Sequence, residues 1–294
     1  MTKNKIYFIT DAGKIKKLGF GHFVRCLHLA KFYKDNYEIF FIKKKKNLNK
    51  IILKNKFKLV KNDQINNKNS NAIAFIDLPK INKVDKTLLK KFNKVIIIDE
   101  FNNCLIKKKR NIKIIKSDNI NQIIPLKLYK FLFISKNKLL NIENKKINIL
   151  VSFGGSDYLN LAKKIKKKIT SEKLNKKYNF LFAKGFLKNK KSKNFFTKDL
   201  NKILANYKID IFIGSGGNTM FEIFQKKIPS LIFPTTKAEL RYFNFLKKVS
   251  GIKKLKLNYC LEKQILLILK KKNKNYFLFK KNSIIKYYNN LIRF

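Results

Sequence analysis

Short, almost wholly apolar runs recur along the first part of the chain. They are "KIYFIT" (5–10), "YEIFFI" (37–42), "AIAFID" (72–77) and "KVIIID" (94–99). Hydrophobicity that is nearly continuous over a few residues predicts strands buried on both faces, as in a parallel sheet covered by helices. Between the first two lies "GHFVRCLHLAKFY" (21–33), which sets Phe23, Leu27 and Ala30 on one helical face with Cys26 close to it. Strand, helix and strand in that order predict a βαβ unit.

The pattern then restarts. "KINILVSF" (146–153), "YNFLFA" (178–183), "IDIFIG" (209–214) and "PSLIFP" (229–234) read as strands, with helices opening near Leu159 and Lys237. The polar stretch "NIENKK" (141–146) has no apolar period and reads as the linker. The expectation is an α/β chain of two Rossmann-like, doubly wound domains, 1–143 and 144–294, facing each other across a cleft. Ligands in such domains sit at the C-terminal ends of the strands.

Composition limits the picture without changing it. Of 294 residues, 45% are hydrophobic, enough for a proper core. The net charge of +53 is extreme. It raises a polyanion binder as a rival reading, although the lysines run from end to end instead of forming one segment, and arginine is rare. A lysine-biased background explains the same charge, so no specific nucleic acid is expected, only salt-dependent attraction to polyanions. Cys26, Cys104 and Cys260 are odd in number and far apart, which supports neither a disulfide framework nor a zinc site. The N-terminal apolar run is too short for a signal peptide, and no stretch approaches the ~20 apolar residues of a membrane span. A cytoplasmic protein is expected.

Three glycine-bearing turns carry the candidate chemistry. "LGFGHFVRCLHLA" (18–30) holds both histidines of the chain. Gly19 and Gly21 would let the backbone turn from strand to helix. His22 stands at the helix mouth, where a neutral imidazole can take a proton from water. Arg25 lies three residues on and faces the same side, free to bind an anion or anchor the loop. A capping or packing role for His22 stays open on local evidence, and His28 reads as structural. "SFGGSD" brings Gly154, Gly155, Ser156 and Asp157, either a phosphate-binding turn or an ordinary turn with an aspartate cap. "IGSGGNTMFE" brings Gly216, Gly217, Asn218, Thr219 and Glu222, with the carboxylate placed to accept from two ribose hydroxyls. Two glycine turns after strands in one domain favour a diphosphate-bearing ligand.

Together, "GFGHFVRCLHLA", "ILVSFGGSDYLN" and "DIFIGSGGNTMFEIFQKKIPSLIF" resemble the UDP-sugar hydrolases of pseudaminic acid biosynthesis and the related spore-coat polysaccharide proteins. The likeness runs from about residue 4 to about 250. It implies a GT-B architecture and UDP-2,4-diacetamido-2,4,6-trideoxy-β-L-altrose as substrate. It implies direct, inverting attack of water at the anomeric carbon, with no metal and no cofactor. His22 matches the family residue that activates or orients the water. Gly19, Gly21 and Arg25 match its loop, Gly154 to Asp157 its first C-terminal loop, and Gly216 to Glu222 its nucleotide-holding turn. The chain departs from the family pattern at Leu78-Pro79 after Asp77, in "LYKFLFISKNKL", and at Ala238-Glu239, where the family has Asn-Gln. A GT-B glycosyltransferase using a UDP-sugar donor is the alternative enzyme reading.

Overall fold

The computed structural model describes residues 3–11, 21–42, 46–65, 71–78, 86–100, 104–106, 109–116, 118–127, 146–154, 157, 159–183, 200–247, 251–270 and 280–293. The expected linker core, 141–145, lies outside them. Two compact units emerge: Met1–Leu132 with Lys280–Phe294, and Phe133–Phe279.

The first unit runs β1 (Lys5–Thr10), α1 (Gly21–Tyr33), β2 (Glu38–Ile42), α2 (Lys46–Lys54), β3 (Lys58–Val60), β4 (Ala72–Asp77), α3 (Lys86–Leu89), β5 (Lys94–Asp99), β6 (Ile112–Lys116) and α4 (Ile120–Lys127). Its sheet is parallel, in the order β3-β2-β1-β4-β5-β6. Strand direction of growth reverses between β1 and β4, and the crevice of a doubly wound sheet opens at that reversal. Both faces are buried, which explains the unbroken apolar runs. On one face the Phe8 ring stacks between Phe41 and Phe75 at 5.1 and 5.2 Å. On the other, Tyr7 stacks on Phe40 at 5.0 Å, above Ile9, Ala74, Ile76 and Ile97.

The second unit runs β7 (Ile147–Ser152), α5 (Leu161–Ser171), β8 (Tyr178–Phe182), α6 (Leu200–Asn206), β9 (Ile211–Ser215), α7 (Asn218–Gln225), β10 (Ser230–Phe233), α8 (Lys237–Leu246), β11 (Ile252–Lys254) and α9 (Leu261–Lys270). Its sheet is also parallel, in the order β11-β10-β9-β7-β8. The reversal here falls between β7 and β9. One face of the sheet carries Ile149, Val151, Ile211, Ile213 and Leu231 against Leu161, Ile165, Ile265 and Ile268 of the covering helices.

The last helix, α10 (Lys281–Leu291), belongs to the first unit, so the expected 144–294 division gives way at its end. The Tyr33 hydroxyl donates to the Tyr288 carbonyl at 2.7 Å, and the Tyr288 hydroxyl to the Pro125 carbonyl at 2.9 Å. Ile284, Tyr288 and Leu291 are fully buried. An amphipathic helix announces that it needs an apolar partner, not which one. Among the described residues no helix is long and apolar enough to cross a membrane.

Candidate functional site

Strand β1 delivers the chain toward α1 at the β1/β4 reversal, and β4 ends there in Asp77, register partner of Thr10. His22, the second residue of α1, is 6% exposed, whereas Asp77 and Arg25 are wholly buried. The three form one cluster. His22 Nδ1 lies 2.6 Å from Asp77 Oδ1. Arg25 Nε donates to Asp77 Oδ2 at 2.6 Å, and its Nη2 to Oδ1 at 2.8 Å. The same Nη2 donates to Glu100 Oε2 at 3.0 Å, just past the end of β5.

Burial pushes the Asp77 carboxyl up, but the Arg25 guanidinium and His22 together outweigh it and hold the group below the usual carboxylate range. Asp77 is therefore an acceptor, and Arg25 can only donate. In a neutral imidazole so placed the proton sits on Nδ1 and the lone pair on Nε2. That is the tautomer a general base needs when a carboxylate orients it from behind. Cys26, beside them, is not a nucleophile. Burial, helped by the Asp77 charge, raises its thiol far above the ordinary value.

Sequence reasoning brought His22 and Arg25 to this place on the strength of α1. Asp77 it noted only for the residues that follow it, and Glu100 it passed over. The signal was a carboxylate closing an all-buried strand: β4 is buried at every position, yet ends in Asp. Arg25, expected beside the substrate, has its guanidinium on Asp77 and Glu100. Gly21 opens α1, and Gly19 lies outside the described residues.

In the second unit both expected turns flank the β7/β9 reversal. Gly154 follows β7 at φ +79°, a left-handed conformation that favours glycine. A Cβ placed on it would lie 3.9 Å from Ser215 Oγ at the end of β9, so the two turns are neighbours. Gly155 and Ser156 lie outside the described residues. Asp157 caps a helix: its Oδ1 accepts from Leu161 N at 2.8 Å and its Oδ2 from Ala162 N at 3.0 Å. Burial raises its pKa despite those bonds. The start of α5 is thus already supplied with a carboxylate.

The other turn differs. Helix α7 begins at Asn218 with Gly217 at its N-cap, which brings no side chain to the opening amides. Thr219 lies in the first turn, and Glu222, one turn on, is buried. Glu239, the residue that departs from the family amide, closes one side. Its Oε2 accepts from Thr235 N at 2.7 Å and from the Thr235 hydroxyl at 2.8 Å. A Cβ on Gly216 would stand 2.9 Å from Glu239 Cβ, so glycine is required for this close approach. Among the described residues no group of three or more His, Cys, Asp or Glu side chains converges to hold a metal.

The fold class is α/β and GT-B-like, with two parallel-strand Rossmann-like units. Two solved structures share it over nearly the whole chain. One is the glycosyltransferase of kitacinnamycin, at TM-score 0.50 and 6% identity, covering 100% of this chain and 95% of that one. Another is the spinosyn forosaminyltransferase SpnP, at TM-score 0.53 and 12% identity, covering 99% and 94%. No family model matches the sequence. The uncharacterized protein MJ1062 of Methanocaldococcus jannaschii is 28% identical over 287 residues, covering 84% of this chain. The chain spans only 59% of that relative's length.

Proposed function

We propose that the protein displaces UDP from the anomeric carbon of a UDP-sugar, with His22 as general base. The observation that carries this reading is the buried His22–Asp77 pair beside the β1/β4 reversal, Nδ1 2.6 Å from Oδ1, a geometry in which a neutral imidazole holds its proton on Nδ1 and offers Nε2 as the base. An acceptor O–H gives its proton to Nε2 while its oxygen attacks C1. The C1–O bond to the diphosphate breaks, and the electron pair leaves with UDP. Direct displacement inverts the anomeric centre. No step requires a metal or cofactor.

The second unit holds the nucleotide in this scheme. Gly216, Gly217, Asn218 and Thr219 present the opening amides and positive dipole end of α7 to the diphosphate, whose charge grows as the bond breaks. Glu222 takes the ribose hydroxyls. Gly154 stands at the adjoining turn, and Asp157 caps the helix that follows it. Gly21 opens the helix that carries His22.

Two acceptors fit the chemistry. The two solved neighbours are named as a glycosyltransferase and a forosaminyltransferase, and they favour a hydroxyl acceptor, hence glycosyl transfer. The three sequence motifs favour water, hence hydrolysis of UDP-2,4-diacetamido-2,4,6-trideoxy-β-L-altrose for pseudaminic acid-type biosynthesis in the cytoplasm. Transfer is the leading reading and hydrolysis the second.

Incubation of a UDP-sugar panel in heavy-oxygen water, with and without sugar acceptors, separates them. A conjugate formed with UDP release means transfer. Free sugar labelled at C1 means hydrolysis. Label in UDP means attack at phosphorus and overturns the mechanism, and absence of UDP release from every donor overturns the function.

A further inference from the structure

We propose that Arg25 is a positioning residue that acts through Asp77, clamped from behind by Glu100, and that it makes no contact with substrate. The inference rests on the reading of His22 as base, and deepens it. Three observations carry it. Arg25 is 0% exposed, although it is a long charged side chain. Its fork grips both oxygens of one carboxylate, Nε on Oδ2 and Nη2 on Oδ1. The oxygen that receives Nη2 is the same Oδ1 that receives His22 Nδ1.

The physical need is specific. The χ2 torsion of an aspartate is broad, so a carboxylate held by a single partner can rotate. One hydrogen bond from an imidazole fixes a distance, not a plane. A bidentate guanidinium fixes the plane, which keeps Oδ1 aimed at Nδ1. Lysine, a point charge, supplies the same sign without that constraint.

Glu100 then answers the remaining question of charge. Its contact with Nη2 gives the buried cation a second anion, so Asp77 need not neutralise Arg25 alone. Arg25 and His22 lie three residues apart on α1, and their acceptors end neighbouring strands β4 and β5. The clamp thus ties one helix turn to two strand ends. In an unconstrained neutral histidine side chain the proton favours Nε2, so the opposite tautomer at His22 has to be enforced by its surroundings.

The test uses the full chain labelled with 15N-histidine, in which only His22 and His28 give imidazole signals. Long-range proton–nitrogen spectra report which ring nitrogen carries the proton, with no substrate present. In the wild type His22 is expected to show Nδ1–H with Nε2 unprotonated. In Arg25→Lys the His22 signals are expected to move toward a mixture of tautomers. On the donor that the wild type turns over, kcat is expected to fall about 10–100-fold, as when an outer-shell partner is lost elsewhere, with KM within about twofold.

Glu100→Gln keeps an acceptor at the same place and serves where Arg25→Lys fails to fold. It is expected to shift the tautomer ratio in the same direction by less. A rise in KM with kcat and tautomer unchanged would place Arg25 on the substrate and overturn the proposal. So would a lower melting temperature with neither the tautomer nor kcat altered. If no donor is turned over, the function proposed above fails, yet the spectra still decide the clamp. His22 tautomers identical in wild type and both variants would overturn it on their own.

Discussion

Replacing Asp77 by Asn removes one charge and no volume, so the outcome measures the buried cluster and not a cavity. The wild-type carboxylate accepts from His22 Nδ1 at 2.6 Å and from Arg25 at 2.6 and 2.8 Å. Asparagine can accept through one oxygen, but its NH2 group faces a donor wherever it turns. Breaking a buried pair by neutralising one partner costs about 3–5 kcal/mol. Glu100 stays on Arg25 at 3.0 Å, so the lower end applies. At roughly 2–4 °C per kcal/mol for a domain of about 150 residues, a loss of about 3 kcal/mol lowers the melting temperature of the first unit by ~6–12 °C.

The pH dependence supplies a second, independent sign. Asp77 is held below the usual carboxylate range when folded. Its contribution is therefore present above the unfolded value of about 3.9 and lost as pH falls through the lower folded value. Asn has no such titration. The gap between wild type and Asp77→Asn should be widest near neutrality and close in acid. The chain has no Trp, so far-UV circular dichroism melts between pH 7 and pH 3 are the assay. A variant that melts within about 2 °C of wild type at pH 7, or a gap that stays constant into acid, would refute the ion-paired cluster.

His22→Ala should leave the fold intact by circular dichroism while UDP release falls about 10²–10⁴-fold, the usual range for a lost general base. Gly216→Ala pushes a methyl group to 2.9 Å from Glu239 Cβ; a loss of about 1–3 kcal/mol in urea unfolding is expected, with a raised KM for the nucleotide-sugar. Glu172 caps α9 from outside, accepting from Leu261 N at 2.9 Å and Glu262 N at 3.0 Å. Glu172→Ala should cost about 0.5–2 kcal/mol. Partial burial raises the Glu172 carboxyl, but those amides, Cys260 and Lys168 outweigh it, so the stabilisation holds at neutral pH and fades on acidification. Removal of residues 280–293 uncovers the face of the first unit that Tyr288 and Leu291 cover, and protease sites in that unit should open while those of the second stay protected.

Strands with two buried faces were legible residue by residue: β1, β4 and β5 fall on the apolar runs, as does α1 on its periodic stretch. What escaped were β3 "KLV", β6 "IKIIK" and β11 "IKK", which carry lysine at the sheet edges. An edge strand tolerates and even benefits from such charge, and in so basic a chain it merges with the background. The site divides the same way. His22 and the glycine turns announce themselves locally. Asp77 and Glu100 come from 52 and 75 residues beyond Arg25, and only the reversal of strand order brings them together. Glu239 looked like a defect in a motif, and proves to be the wall of a turn.

The return of α10 to the first unit sets an order of events during synthesis. The opening half leaves the ribosome first, but its closing piece follows only after every residue of the second unit. At about 5–20 residues per second, the nascent first unit waits roughly 7–30 s with the seat of Tyr288 empty. The later-made half can finish before the earlier one, and a chaperone that shelters apolar surface has its longest window on the domain that bears the histidine.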